Sequence, residues 1–298
     1  MSAKHQPLRA AFWMTGAIAS FTGMAIAGRE VSHIHDSFEI MAARSAIGFV
    51  LVVVIAGFLG KLGAVSTDRL GGHFLRNIVH FTGQNLWFWA LTMIPLAQLF
   101  ALEFTSPIWV ILLSPFFLGE KLTRTRLLAA GLGFVGVVIA AHPDLTSFNP
   151  GLLAAAGSAV FFAMTSILTK LMTRGDAVVS ILFWLTLMQF CFGLIGAGLD
   201  GDIALPTAET LPWLALIGGC GVLAHLSLTT ALSLAPASYV VPLDFVRLPV
   251  IAVVAAMVYA EPLDPLVIVG GAVIFAGIWL NIRAELRPKR NNPANQML

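Results

Sequence analysis

The feature that most constrains this chain is a succession of apolar segments, each about 20 residues long, separated by short polar loops. In lipid such a segment must satisfy its backbone groups internally, and a helix does so within a single segment. Only 11% of the residues are charged and 58% are hydrophobic, which leaves too few polar side chains to cover a water-soluble surface. The sequence therefore predicts an all-α polytopic membrane protein.

The predicted number of transmembrane helices is ten. Their approximate positions are 10–28, 38–59, two spans within 76–120, 127–141, 150–171, 178–198, 211–233, 236–260 and 265–282. The first of these could also be read as a signal peptide, because a basic start precedes an apolar run that contains Ala25-Ile26-Ala27. We expect it to be retained, since the internal repeat described below requires it.

Lysine and arginine occur in alternate loops of this arrangement. They precede the first span and follow the second, fourth, sixth and tenth, whereas the intervening loops contain only Arg29. By the positive-inside rule both termini face the cytoplasm. We expect the protein to lie in the cell inner membrane, and the net charge of +2, spread over several loops, excludes a nucleic-acid partner.

An internal repeat relates the two halves of the chain. A shift of 141 residues places Pro95 on Pro236 and Glu103 on Asp244. We predict a first five-helix unit at 1–141, a second at 142–284 and a cytoplasmic tail at 285–298. Because five is odd, the second unit must be inverted in the membrane, and inverted repeats are typical of transporters.

A polar stripe interrupts the third and fourth spans. Arg76, His80 and Gln84 stand at i, i+4 and i+8 on one helix face, and Glu103 lies in the next span. Ionisable residues inside a membrane are costly and therefore indicate function. With aromatic residues from the spans, the predicted substrate-binding set is His80, Gln84, Trp87, Phe100, Glu103, Trp109, Phe162, Tyr239, Asp244 and Arg247.

Several of these polar residues also have structural interpretations. His80 could be a core group bonded to a carbonyl, and Asp244 and Arg247, three residues apart, could neutralise each other. Arg44 and Glu103 lie at similar depths, so a structural ion pair between them is an alternative to a role in substrate binding or coupling. Arg76, near the cytoplasmic end of its helix, could extend to the interface.

The residues carry a resemblance to a known family. The two five-span copies, Arg44 in the second span and the turn Gly119-Glu120-Lys121-Leu122 resemble the EamA family of the drug/metabolite transporter superfamily. The stripe of Arg76, His80 and Gln84 is most similar to YddG-type exporters of aromatic amino acids. The resemblance implies a ten-helix basket whose central cavity is lined by helices one, three, four, six, eight and nine.

The function expected from these features is export of small metabolites, most specifically amino acids including aromatic ones, by alternating access at the repeat interface. Glu103 or Asp244 would meet the ammonium group, and Arg247 or His80 the carboxylate. The alternative is a multidrug transporter or one for another metabolite, such as a nucleotide precursor or a vitamin. Proton antiport would require a titrating carboxylate such as Glu103, whereas a facilitator requires none.

An enzyme is not expected, because the spans contain no HExxH, no GxSG and no paired aspartates. We expect neither cofactor nor metal ion, and we interpret Cys191 and Cys220 as small buried side chains. The expected partners are the lipid bilayer and a small-molecule substrate, with a monomeric chain.

Overall fold

The computed structural model describes residues 6–94, 96–141, 149–199, 203–259 and 265–286. In these ranges the chain is helical and contains no β-strand. The α-helices are α1 (Pro7–Val31), α2 (Ser37–Phe58), α3 (Leu70–Leu91), α4 (Leu96–Glu103), α5 (Ser106–Leu118), α6 (Arg124–Ala141), α7 (Pro150–Met172), α8 (Val178–Ala197), α9 (Leu211–Leu234), α10 (Ala237–Val240), α11 (Arg247–Tyr259) and α12 (Pro265–Leu286). Short 3₁₀ helices form at Leu62–Ala64 and Val241–Val246.

Seven helical segments of the described ranges are long and apolar enough to cross a membrane. They are Pro7–Val31, Ser37–Phe58, Pro150–Met172, Val178–Ala197, Leu211–Leu234, Ala237–Val258 and Pro265–Ala284. Helix α3 has 22 residues but is not among these seven, because polar side chains such as Arg76 and His80 lower its mean hydropathy. The prediction of an all-α polytopic membrane protein is confirmed at this level.

The ends of the helices follow local sequence signals. Asp36 accepts a hydrogen bond of 2.8 Å from the Glu39 amide, and the Glu39 carboxylate accepts one of 3.0 Å from the Asp36 amide, so this reciprocal cap starts α2. Helix α5 ends at Gly119, whose φ of 66° is the left-handed conformation that glycine tolerates best. These two signals fix where α2 begins and where α5 ends.

The most extensive helix packing joins the two halves of the chain. Helix α1 packs on α9, α2 on α8, α3 on α7 and α6 on α12. Helices α2 and α8 are antiparallel: near the start of α8, Trp184 Nε1 donates to Ser66 O at 2.8 Å beyond the end of α2. Glu39 at the start of α2 accepts from the Ala204 amide beyond the end of α8. Two helices that are equivalent under the 141-residue offset therefore run in opposite directions.

The predicted fourth and ninth spans are not continuous α-helices. Helix α4 ends at Glu103 and α5 begins at Ser106, while a 3₁₀ segment from Val241 to Val246 separates α10 from α11. Pro107 stands in the first turn of α5, and proline cannot donate to the preceding turn. The two breaks lie at the same position of the 141-residue repeat.

Helices α6 and α12 meet through glycines, which allow two helix backbones to approach closely. A Cβ atom added to Gly136 would lie 2.6 Å from Gly270 O and 2.9 Å from Ile274 N. A Cβ atom on Gly277 would lie 2.8 Å from Ala129 O. Backbone atoms of both helices leave no room for a methyl group at this crossing.

We expect Gly136→Ala to destabilise the protein, because the backbone that faces Gly136 cannot retreat without separating α6 from α12. Overpacking of this kind costs about 1–3 kcal/mol. Gly131→Ala on the same helix is the matched control, since its Cβ would meet nothing within 4 Å. Thermal unfolding in detergent, followed by tryptophan fluorescence, should show a lower midpoint for Gly136→Ala alone. Equal midpoints for the two variants would contradict this packing.

Candidate functional site

A cavity of about 580 Å³ lies between the two halves of the chain. Side chains of α1, α2, α3, α4, α5, α7, α9, α11 and the adjacent 3₁₀ segment line it. The resemblance implied the same set of spans except for α2, which contributes Arg44. Its volume falls within the range of sites that enclose small molecules.

The cavity opens at the end of the bundle where α1 ends and α2 begins. There it reaches the exposed residues Arg29 and Ser32. At the other end it stops at Arg76 and Thr169, which are each 2% exposed. We call the two ends of the cavity the open end and the closed end.

At the closed end, Glu120 of the first half of the chain is hydrogen-bonded to the second half. Its carboxylate accepts hydrogen bonds from the amides of Ala237 at 2.8 Å and Ser238 at 3.1 Å, and also from the Ser238 hydroxyl. These are the first amides of α10, where a negative charge is favoured. The carboxylate therefore links the end of α5 to the second half.

Two cations complete this closure. Lys170 Nζ, near the end of α7, donates to Leu232 O at 2.5 Å and Ala235 O at 2.8 Å, the last carbonyls of α9. Arg174 donates to Leu118 O at 2.6 Å, at the end of α5. Each contact places a positive group on the carbonyl end of a helix, which is the favourable pole for a cation.

Towards the open end, one arginine joins two carboxylates in what we call the carboxylate cluster. Arg247 Nη2 lies 2.6 Å from Glu103 Oε1 and 2.9 Å from Asp244 Oδ2. Trp87 Nε1 donates to Glu103 Oε2 at 2.7 Å, and the Arg247 guanidinium lies 5.0 Å from the Phe104 ring centroid. The two helix breaks thus meet at one shared cation.

The alternative of a structural ion pair between Arg44 and Glu103 is not observed. Glu103 is engaged by Arg247 and Trp87, and in the described part of the chain no carboxylate lies in salt-bridge range of Arg44. Arg247 also does not simply neutralise Asp244, because it is shared with Glu103. Glu103 lies 144 residues from Arg247 in the sequence, so their spacing could not indicate that they are partners.

Arg76 and Arg44 form a second polar region, which we call the arginine pole. Arg76 donates from Nε to Thr169 Oγ1 at 3.2 Å and from Nη1 to Asn77 Oδ1 at 3.1 Å. It does not extend to the interface, as one interpretation of the sequence held, because helices α3 and α7 enclose it. Within the described ranges no carboxylate pairs with it.

Gln84 positions Arg44 within this pole. When the Gln84 amide is oriented to satisfy its neighbours, its oxygen accepts from Arg44 Nη1 at 3.2 Å and Nη2 at 3.0 Å. Its nitrogen then donates to Gln189 Oε1 at 3.0 Å. Arg44 Nη1 also lies 3.6 Å from Met24 Sδ. The amide therefore orients a buried guanidinium without neutralising it.

Two histidines lie between these regions. His80 and His225 are perpendicular, with ring centroids 5.2 Å apart, and His80 also lies 6.1 Å from the Phe162 ring. Neither ring nitrogen of His80 has a hydrogen-bond partner in the described part of the chain. The alternative of a core histidine bonded to a carbonyl is thus not observed.

The structure brings most of the predicted substrate-binding residues together and separates two of them. Those that line the cavity are His80, Gln84, Trp87, Phe100, Glu103, Phe162, Asp244 and Arg247. Trp109 lies outside because it shares the exposed stripe of α5 with Leu112 and Phe116. Tyr239 lies at the closed end, where its hydroxyl donates to Pro7 O at 3.2 Å.

Sequence reasoning left other lining residues out of the predicted set. Besides Arg44 and Arg76, these include Phe21 and His225. The 141-residue offset could have identified both of the latter, because it relates Phe21 to Phe162 and Gln84 to His225. Residues equivalent by repetition thus line the same cavity.

No group of three or more histidine, cysteine or acidic residues suited to a metal ion occurs in the described ranges. Cys191 and Cys220 are free thiols, and the interpretation of both as buried side chains is wrong, because Cys191 is exposed and Cys220 is only partly buried.

Comparison with known proteins gives consistent matches along the chain. The model of the family described as "EamA-like transporter family" matches residues 8–141 and again 149–283. A riboflavin transporter of Vibrio cholerae serotype O1 is 31% identical over 97% of this chain and 98% of its own length. An S-adenosylmethionine uptake transporter of Rickettsia bellii is 26% identical over 84% of each chain. One solved crystal structure has the same fold, with a TM-score of 0.79 at 18% identity over 93% of this chain and 99% of its own.

Proposed function

Because this chain belongs to the EamA-like transporter family of the drug/metabolite transporter superfamily, we propose that it carries a ring-containing metabolite of vitamin size across a bacterial inner membrane. The protein is a multi-pass membrane transporter and not an enzyme, since its family and its named relatives are transporters. The solute would occupy the cavity between the halves.

The relatives favour a vitamin or a related metabolite over the amino acids expected from the sequence. The Vibrio cholerae relative, which matches over 98% of its own length, is named a riboflavin transporter. The Rickettsia relative is named an S-adenosylmethionine uptake transporter. Both solutes carry a planar heteroaromatic ring. The cavity offers rings for stacking from Phe21, Trp87, Phe100 and Phe162.

Riboflavin is the first candidate, and the observation that carries this choice is the match along nearly the whole of both chains. S-adenosylmethionine is the second candidate, because Glu103 and Asp244 could receive its ammonium group. Uptake is the proposed direction, because it is the direction in the name of the S-adenosylmethionine relative.

Counterflow in proteoliposomes tests this proposal. Vesicles that contain the purified protein and internal riboflavin should accumulate labelled riboflavin, and S-adenosylmethionine and tryptophan serve as competitors. Trp87→Ala should reduce riboflavin counterflow about tenfold or more. The substitution removes one ring that would stack on the solute and the hydrogen bond from Trp87 Nε1 to Glu103. Trp109→Ala, at the exposed stripe of α5, is the matched control. Counterflow of tryptophan without riboflavin would instead restore the amino-acid hypothesis.

We further propose that the transporter has ten spans in two inverted five-helix units and works by alternating access. The antiparallel packing of α2 on α8 supports inversion. The helix breaks at Glu103 and Asp244 support a solute site at the repeat interface, where transporters use discontinuous helices. Alternate access would require the contacts of Glu120, Lys170 and Arg174 to open.

Single cysteines test the proposed orientation. In a background without Cys191 and Cys220, Ile34→Cys after α1 and Leu122→Cys after α5 both lie at exposed positions. An impermeant thiol reagent added to intact cells should label position 34, and position 122 should require permeabilised cells. Labelling of both positions from one side would reject the inverted ten-span topology with cytoplasmic termini.

A further inference from the structure

The cavity carries more positive than negative charge. Among the described residues, its buried or partly buried lining includes three arginines, Arg44, Arg76 and Arg247, and two carboxylates, Glu103 and Asp244. Both carboxylates contact the same cation, Arg247. The two arginines of the arginine pole therefore have no counter-charge in the described part of the chain.

This imbalance is costly unless something compensates it. Arg44 and Arg76 are 9% and 2% exposed, and an arginine stays protonated in proteins. A buried charge is tolerated when it is paired or hydrogen-bonded, and the partners here are neutral oxygens of Gln84, Thr169 and Asn77. These oxygens orient the guanidinium groups but supply no negative charge.

Side chains in and beside the arginine pole also have hydrogen-bonding groups without a partner in the described ranges. The hydrogen bonds of Arg76 use Nε and Nη1, and no described residue accepts from Nη2. Both ring nitrogens of His80 and Nδ1 of His225 are buried without a partner in the described ranges. Polar groups from α2, α3 and α9 thus line the cavity, and those of α3 and α9 retain unused hydrogen-bonding capacity.

We propose that the arginine pole is an oxyanion subsite, which takes a phosphate or carboxylate group borne by the transported ring system. This inference rests on the proposed function in placing the solute in the cavity. The solute's rings would lie against the aromatic walls, and its oxyanion would contact Arg44 and Arg76, since guanidinium groups match oxyanions in geometry and charge. A free inorganic anion has the same chemistry and is distinguished below.

The orientation of such a solute follows from the two polar regions. The carboxylate cluster has two acids for one arginine, so it repels an oxyanion. The arginine pole attracts it, and one of its two members, Arg76, lies at the closed end. An anionic solute would therefore be held with its oxyanion at the arginine pole and away from the carboxylate cluster.

Equilibrium binding to the purified wild-type protein tests the subsite. The probes are riboflavin, riboflavin 5′-phosphate, S-adenosylmethionine and inorganic phosphate, measured by flavin fluorescence or by calorimetry at constant ionic strength. We expect the phosphorylated flavin to bind about tenfold or more tightly than riboflavin. Inorganic phosphate should weaken binding of the phosphorylated flavin towards that of riboflavin.

Charge variants assign the effect to residues. Arg44→Gln and Arg76→Gln should bring the ratio of the affinities for the phosphorylated flavin and for riboflavin towards one, and Arg76→Lys should retain part of the preference. Lys61→Gln, which removes an exposed cation after α2, is the control and should leave the preference unchanged. If a glutamine variant does not fold, the four-ligand comparison on the wild-type protein decides alone.

The possible failures are distinguishable. Equal affinity for riboflavin and its phosphate overturns the subsite and leaves riboflavin transport intact. Inorganic phosphate that binds through Arg44 and Arg76 without competing with the phosphorylated flavin overturns the claim that the solute bears the anion. If no flavin binds but phosphate does so through both arginines, the subsite stands and the proposed ring system is wrong.

Discussion

Arg247→Met is expected to lower the yield of folded protein and to abolish solute binding, because it leaves Glu103 and Asp244 facing each other without a cation. Both acids contact Arg247 Nη2, at 2.6 and 2.9 Å. Breaking a buried pair by removing one partner costs about 3–5 kcal/mol. The side chains of Glu103 and Asp244 are 10% and 19% exposed, so water in the cavity should bring the cost towards the lower value.

A double-mutant cycle separates the pair from the individual residues. Glu103→Gln should partly rescue Arg247→Met, because it removes one of the two uncompensated charges and keeps an acceptor for Trp87 Nε1. Arg283→Met, which removes an exposed cation on α12, is the control. Thermal unfolding and folded yield are measured for each variant. Additive losses in the double variant would show that Glu103 and Arg247 do not interact.

Glu120→Ala should open the closed end of the cavity and thereby disrupt alternating access. The substitution removes the acceptor of three hydrogen bonds to α10. A hydrogen bond to a charged group contributes about 1.5–3 kcal/mol, so the loss of even one would shift the balance of conformations about tenfold to a hundredfold. Glu120→Gln keeps one acceptor and should have a smaller effect.

Accessibility of a cysteine in the cavity measures this shift. Ser166→Cys, which lies on α7 in the cavity wall, should react from the periplasmic side in a background that lacks only Cys191 and Cys220. With Glu120→Ala it should also react with an impermeant reagent on the cytoplasmic side of inverted vesicles. Lys121→Gln changes the neighbouring exposed charge and is the control. Unchanged reactivity would show that Glu120 does not keep this end closed.

Much of the site could be predicted because polar residues inside apolar spans are conspicuous. His80, Gln84 and Glu103 stand out from their segments, and all three line the cavity. The 141-residue offset adds Phe21 and His225 when it is applied to Phe162 and Gln84. Repetition thus contains information about packing that composition does not.

Other residues could not be placed in this way. Trp109 is two residues beyond Pro107, and the break before α5 changes which face of the helix meets the core. Tyr239 lies in the short α10, and its hydroxyl reaches the first residue of α1. In both cases the orientation depends on a local departure from a regular helix, which a regular helical period does not anticipate.

The sequence by itself determined that the chain forms membrane-spanning helices and that its halves are copies, since length, hydropathy and repetition are properties of contiguous residues. Only the tertiary structure decided which charges meet. Arg247 and Glu103 are 144 residues apart, and their contact depends on how α4 and α11 are placed by all the helices between them. Local patterns specify which groups must be buried, whereas the packing of the bundle decides which of them are partnered and which remain available to a solute.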